Sequence, residues 1–256
     1  FKLNPNIEHN PFLENQLKQL EMQYIATKKR LENKFKAKKF IVYFQSFTNT
    51  YAPLSSLKAL YEKALSFDDV MGLSSGTRTD CVTDEILDFL YEKSKQKEIW
   101  IEYGIQSFFQ TTLDKINRAD DVENMRYWIR RTKEKGLNVC GHLIYGLPDE
   151  NQEMMLETFK QTIDLKVDSI KFHPLYVVKN TLLTNEFKKG RFTPISEELY
   201  IDTVVKSIIN LPQNVSVQRV TAGIDDDTLL SPLWCKNKHQ QMRNIRVKLE
   251  EKGFIY

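Results

Sequence analysis

The sequence predicts an α/β protein assembled from βα units on a parallel sheet, and three observations carry that prediction. From about residue 40 onward, short apolar runs rich in β-branched and aromatic residues alternate with longer stretches of helical periodicity. Most of the helical stretches open on a residue suited to capping a helix N-terminus. No Pro-, Gly- or Ser-rich linker breaks the series, and no repeat longer than the βα unit appears.

The candidate strands, in order, are FIVYFQ, DVMGLSSG, EIWIEYG, NVCGHLIYG, SIKFHPLYVV and NVSVQRV. Between the first two, SLKALYEKAL sets Leu57, Leu60, Tyr61, Ala64 and Leu65 on one helical face. Later, SEELYIDTVVKSII repeats such spacing through Leu199, Val204, Ile208 and Ile209. Ser55 or Ser56, Thr83, Asp149 and Ser196 are placed as N-caps, and Gly136 as a helix stop before the strand at Asn138. Six strands joined by right-handed crossovers can close part-way into a barrel or spread as an open doubly wound sheet, and periodicity does not choose between them. In both, chemistry sits at the carboxyl ends of the strands. The simplest organisation is one structural domain: a basic helical lead-in over 1–39, a core over 40–222 and a C-terminal extension over 223–256.

Composition narrows the class. With 256 residues, 41% apolar and 28% charged, the chain can bury one sizeable core. No apolar run is long enough to span a bilayer, so the expectation is a cytoplasmic protein with no membrane partner. The first residue is Phe1 and the opening run has no secretory pattern, which reads as a fragment of a longer protein. A net charge of +3 is too small to imply a nucleic-acid partner by itself, since clustering matters more than totals. Lys28, Lys29, Arg30, Lys34, Lys36, Lys38 and Lys39 do cluster against Glu32 alone, and the tail adds Lys236, Lys238, Arg243, Arg246 and Lys248. A solvated helix face accounts for the first cluster as readily as phosphate contacts do. Cys81, Cys140 and Cys235 share no metal-type spacing, and an odd, scattered set suits a reducing compartment.

Polar segments follow the strands where packing does not require them: QSFTNTYAP, GTRTD, EYGIQS and GHLIYGLPDE. In order and spacing, GTRTD, EYGIQS, the Asn117–Arg118 pair and LIYGLP resemble the radical S-adenosylmethionine (radical SAM) superfamily, in its Elp3/MiaB-like barrel branch. The nearest likeness is to the YhcC/YtqA-like radical SAM proteins, whose TNTYAP, TRPD, ELGLQS, NRG, LILGLP and VVKGTPL segments are echoed along nearly the whole chain. Singly these motifs are weak; as an ordered set they are specific.

The resemblance implies a partial (β/α)6 TIM-like barrel, SAM as cofactor, and a 4Fe-4S cluster held by three cysteines in a loop after the barrel's first strand. That strand and loop are expected to be missing or truncated here, so no residue of this chain is assigned as a metal ligand. The resemblance assigns Gln106 and Arg118 to the ribose and the methionine carboxylate, for which a carboxamide and a guanidinium are chemically suited. His142 stands where the coproporphyrinogen-oxidase branch has an aspartate toward the ribose, and Ile144 would touch adenine. Glu102 shares a strand face with Trp100, pointing either into the barrel or toward the helices, and a carboxylate there needs a partner. Gln45, Thr48 and Asn49 of QSFTNTYAP take the place of the usual GGE-like motif in this resemblance, and Arg78 is a SAM or substrate contact or else the ion-pair partner of Asp80 or Glu102. His173, Tyr176 and Lys179 are candidates on the substrate side.

No catalytic acid or base is assignable, because such enzymes leave the bond-breaking to the cofactors. The implied function is an Fe-S oxidoreductase that generates a 5′-deoxyadenosyl radical, with tRNA (a wobble uridine) as substrate and flavodoxin or ferredoxin as electron donor. A small-molecule or peptide substrate, and a non-catalytic barrel that has lost its cluster, are the alternatives.

Overall fold

A computed structural model describes residues 11–224 and 226–254 of the chain. Its elements run α1 (Leu13–Phe35), β1 (Phe40–Phe44), α2 (Leu54–Leu65), β2 (Val70–Thr77), α3 (Asp84–Ser94), β3 (Glu98–Gln106), α4 (Gln110–Lys115), α5 (Val122–Glu134) and β4 (Asn138–Tyr145). They continue with α6 (Gln152–Asp164), β5 (Ser169–Pro174), β6 (Val177–Val178), α7 (Leu182–Lys188), α8 (Glu197–Ile209), β7 (Ser216–Arg219), β8 (Leu229–Ser231) and α9 (Lys238–Glu251). Short 3-10 turns cover Thr79–Cys81 and Leu233–Lys236.

Six strands form one sheet in the order β1-β2-β3-β4-β5-β7, and β6 and β8 form a separate antiparallel ribbon. The pairs β1–β2, β2–β3, β4–β5 and β5–β7 are parallel. This sequential order with intervening helices is the βα pattern expected above. The chain divides into two compact units, Phe1–Gly104 with Tyr127–Val139, and Ile105–Arg126 with Cys140–Tyr256.

In the first unit, α2 buries Leu57, Tyr61 and Ala64, and α3 buries Ile86, Leu87, Phe89 and Leu90. Apolar burial of this kind supplies most of the stabilisation, roughly 25 cal/mol per Å2 removed from water. Gly72 allows β2 to lie close to β3, since a Cβ there would collide with the Glu98 carbonyl. Thr83 caps α3 by accepting from the Ile86 N–H, and Gly136, at φ +80°, stops α5. On α1, Lys28 is paired with Asp69 and Glu32, so part of the basic lead-in is neutralised locally.

In the second unit, Ser196 caps α8 as expected. Three expectations are corrected. The cap of α6 is Asn151, which accepts from Met154 N at 2.9 Å, rather than Asp149. In α8 the buried face runs through Tyr200, Ile201, Val204 and Val205, while Leu199 is exposed, because apolar side chains lie on more than one side of this helix. SIKFHPLYVV is not one strand: β5 ends at Pro174, whose ring offers no N–H to a ladder, and Val177–Val178 join the ribbon. In the first unit, α2 begins after Pro53 rather than at Ser55 or Ser56, and Ser56 is buried.

Candidate functional site

The two faces of each strand are told apart by what their side chains reach. In the first unit, Ser75 on β2 bonds Tyr61 of α2 at 2.7 Å and Tyr103 on β3 bonds Thr132 of α5 at 2.7 Å, so these residues mark the helix side. Strand alternation then puts Ser74 and Gly76, and Trp100, Glu102 and Gly104, on the opposite face. That settles the direction of Glu102: it is 2% exposed and accepts a 2.5 Å hydrogen bond from the Ser74 hydroxyl.

The polar loops of this unit are largely tied to one another. The Asn49 carboxamide donates to the carbonyls of Phe44 (2.9 Å) and Gly76 (2.8 Å), which fastens the end of β1 to the end of β2. Tyr61 donates to the Asn49 carbonyl at 2.9 Å. Thr50 bonds Thr77 at 2.5 Å and donates to the Cys81 carbonyl at 2.6 Å. The Arg78 guanidinium forks onto the Asp80 carboxylate, one arm at 2.7 Å. Gln45 is exposed just past β1.

In the second unit, Tyr145 on β4 bonds Ser207 of α8 at 2.7 Å, and Phe172 on β5 packs against Phe159 of α6. Cys140, His142 and Ile144, and Lys171 and His173, therefore occupy the other face. Strand register sets His142 beside Lys171, Ile144 beside His173, and Lys171 beside Arg219 of β7. Three basic side chains thus stand abreast. The His173 Nδ1 lies 2.7 Å from the Pro174 carbonyl, which can only accept, so Nδ1 carries the proton and Nε2 keeps its lone pair. Burial pushes the His173 pKa down to about 4 against the opposing Pro174 bond, and Arg219 and His142 add to the fall. The Tyr176 ring lies 4.6 Å from the His173 ring, and burial raises its phenol well above the usual value. The Arg219 Nε is buried with no hydrogen-bond partner among the described residues. Lys179 is exposed beyond β6.

Gln106 closes β3 in a left-handed conformation, φ +67°. The next residue, Ser107, is fully buried, donates to Glu150 and accepts from Phe109 N at 3.0 Å. Burial holds the Glu150 carboxyl above the usual carboxylate range, with the Ser107 and Thr112 hydroxyls opposing. Arg118 follows α4, its N–H donating to the Leu113 carbonyl at 2.9 Å, and is half-buried. Ser107, Glu150, Lys171 and Arg219 are not among the residues the sequence singles out. Only Lys171 carries a local signal, a cation inside the otherwise apolar run around it.

The donor chemistry of the second unit fits SAM: Gln106 and His142 suit ribose hydroxyls, Ile144 an apolar base, and Arg118 a carboxylate. The cysteines do not fit a cluster. Cys140 and Cys235 are buried, and burial pushes the Cys235 thiol up to about 12, far from the thiolate that iron requires.

Comparison with known proteins places these features. The Radical SAM superfamily description matches residues 14–162, and the Radical SAM C-terminal domain matches residues 167–251. YtqA of Bacillus subtilis is 35% identical over 94% of this chain and 75% of its own length. YhcC of Escherichia coli K12 is 38% identical over 85% of this chain and 71% of its own. A tRNA uridine(34) acetyltransferase of Methanocaldococcus infernus is 26% identical over 61% of this chain and 32% of its own. The solved structure of M. infernus Elp3 lacking residues 1–46 superposes with a TM-score of 0.75 at 20% identity, covering 92% of this chain and 60% of that one. That likeness shows the fold, the partial barrel with sequential parallel strands.

Proposed function

The chain belongs to the radical SAM superfamily, and from that premise we propose that it is an enzyme that cleaves SAM reductively and acts on tRNA, at the side group of a wobble uridine. The observation that supports the first half is the donor set of the second unit: Gln106 closing β3, His142 and Ile144 on β4, and Arg118 after α4 are of the chemical types that SAM would take. The second half is supported by the likeness to a tRNA uridine(34) acetyltransferase.

When bound, SAM together with a 4Fe-4S cluster reduced by one electron from the external donor would supply the radical chemistry that removes a hydrogen atom from the substrate. The chain's own residues bind and orient. Arg118 holds the methionine carboxylate, Gln106 and His142 hold the ribose, and Ile144 covers adenine. The Ser107–Glu150 bond fixes the backbone that carries Gln106. In the first unit, Gln45, Asn49, Arg78 and Glu102 are the further cofactor contacts. Asn49 offers only its Oδ1, since both amide hydrogens are engaged, and Arg78 is paired with Asp80. His173, Tyr176 and Lys179 face substrate. In this reading the core over 40–222 does the chemistry in the cytoplasm, the basic segments in 1–39 and 223–256 contact tRNA, and flavodoxin or ferredoxin supplies the electron. Among the described residues, no helix is long and apolar enough to cross a membrane.

Anaerobic reconstitution of the full-length protein with iron and sulfide, followed by SAM, tests this. The reading expects an EPR signal of the reduced protein that SAM perturbs, and 5′-deoxyadenosine as product. Absence of bound iron, or iron without 5′-deoxyadenosine, overturns it.

A further inference from the structure

The most telling polar atom outside the SAM donor set is the Nε of Arg219. It is withdrawn from water at the end of β7, yet no carbonyl, hydroxyl or carboxylate among the described residues accepts from it. A guanidinium has five N–H donors in a rigid plane, and folded proteins rarely leave a buried one without an acceptor unless a ligand supplies it. Arg219 pairs with Lys171 just past an irregularity in the β5–β7 ladder, and its charge acts on both His173 and Tyr176, so the guanidinium lies beside the residues of the face that bears His142, Lys171 and His173. The Tyr176 phenol flanks that face through its ring contact with His173.

The surroundings define the ligand. Arg219 offers a planar fork, which matches two oxygens of a phosphate or carboxylate. His173 offers the reverse: with Nδ1–H committed to the Pro174 carbonyl, its Nε2 is a neutral acceptor and calls for a donor on the ligand. An oxyanion with a hydroxyl donor close beside it satisfies both, and a ribonucleotide carries that pair in its 3′-phosphate and 2′-hydroxyl.

We propose that Arg219 and His173 form a subsite for one ribonucleotide of the substrate, Arg219 seating its 3′-phosphate and His173 Nε2 accepting from its 2′-hydroxyl. This deepens the tRNA reading and rests on it for the identity of the substrate. The site itself is tested without SAM chemistry. Arg219 and His173 are binding residues here and take no part in bond breaking.

The test is binding of uridine 3′-monophosphate to the full-length protein, followed by NMR of the His173 ring, the resonance being assigned with His173→Gln. Inorganic phosphate, acetate and 2′-deoxyuridine 3′-monophosphate serve as the other probes. The expected result is a saturable shift of the His173 signal with the ribonucleotide, at least 5-fold weaker binding of the deoxy form, and loss of binding in Arg219→Gln. Arg219→Lys, which keeps the charge and loses the fork, should bind at least 10-fold more weakly while melting as wild type does. His173→Gln should erase the preference for ribose and keep phosphate binding. A His173 signal that no probe moves overturns the subsite. So does equal binding by wild type and Arg219→Gln, or equal binding of ribo and deoxy forms. Tighter binding of acetate than of phosphate identifies a carboxylate seat and also overturns it. If the subsite binds the nucleotide but tRNA is never modified, the tRNA reading fails while the subsite stands.

Discussion

The strand ends of the two units are equally polar in sequence and are used differently. In the first unit the polar groups answer one another: Asn49 grips two backbone carbonyls, Tyr61 and Ser75 share a hydrogen bond, and Arg78 forks onto Asp80. In the second, a guanidinium Nε is buried with no acceptor among the described residues, and a histidine is held neutral chiefly by burial, with Arg219 adding to it. Polar residues that satisfy each other build architecture. Polar residues held in place without a partner are the ones with something left to bind.

Substitutions can break or sharpen that contrast. The largest effect is expected at Gly72→Ala in the first unit. The added Cβ has no space against the Glu98 carbonyl, and forcing the strands apart costs about 3 kcal/mol, read as a fall in the urea midpoint. If stability is unchanged, the close approach of β2 to β3 is not a structural requirement.

Next comes pH, which probes the second unit. The folded His173 titrates near 4 and the unfolded one near 6.5, so over that window the unfolded state binds the extra proton. Stability is therefore highest above 6.5 and falls as the pH drops toward 4, by on the order of 3 kcal/mol from this group. His173→Gln should flatten the dependence between pH 7 and pH 4.5 relative to wild type. Parallel curves for the two proteins would mean that His173 is not held neutral by its surroundings.

Tyr61→Phe should cost about 1.5 kcal/mol, since the Asn49 carbonyl and the Ser75 hydroxyl are left in the interior without the phenol. A neutral substitution would show that water replaces it and would weaken the account of the first unit's strand ends as mutually satisfied.

Much of this was legible in the sequence. Five of the six sheet strands appear at the positions their apolar runs indicate, because alternation and length are local properties. SIKFHPLYVV misled because its apolar character continues past Pro174, where the pairing stops. The buried face of α8 was unreadable because Leu199 and Tyr200 are both apolar and only packing decides between them. At the site, Glu102, His142 and His173 stood out as polar residues within strand patterns. The Ser107–Glu150 bond joins residues 43 positions apart, and no local pattern announces it. Arg219 ended a short run that read simply as a last strand. That its Nε meets no acceptor among the described residues is a property of three dimensions.

The contrast itself is tested most directly by measuring thermal midpoint and uridine 3′-monophosphate affinity together on Tyr61→Phe and Arg219→Gln. The account predicts a lowered midpoint with unchanged affinity for the first, and an unchanged or raised midpoint with lost affinity for the second. A lowered midpoint in Arg219→Gln with affinity retained would contradict it.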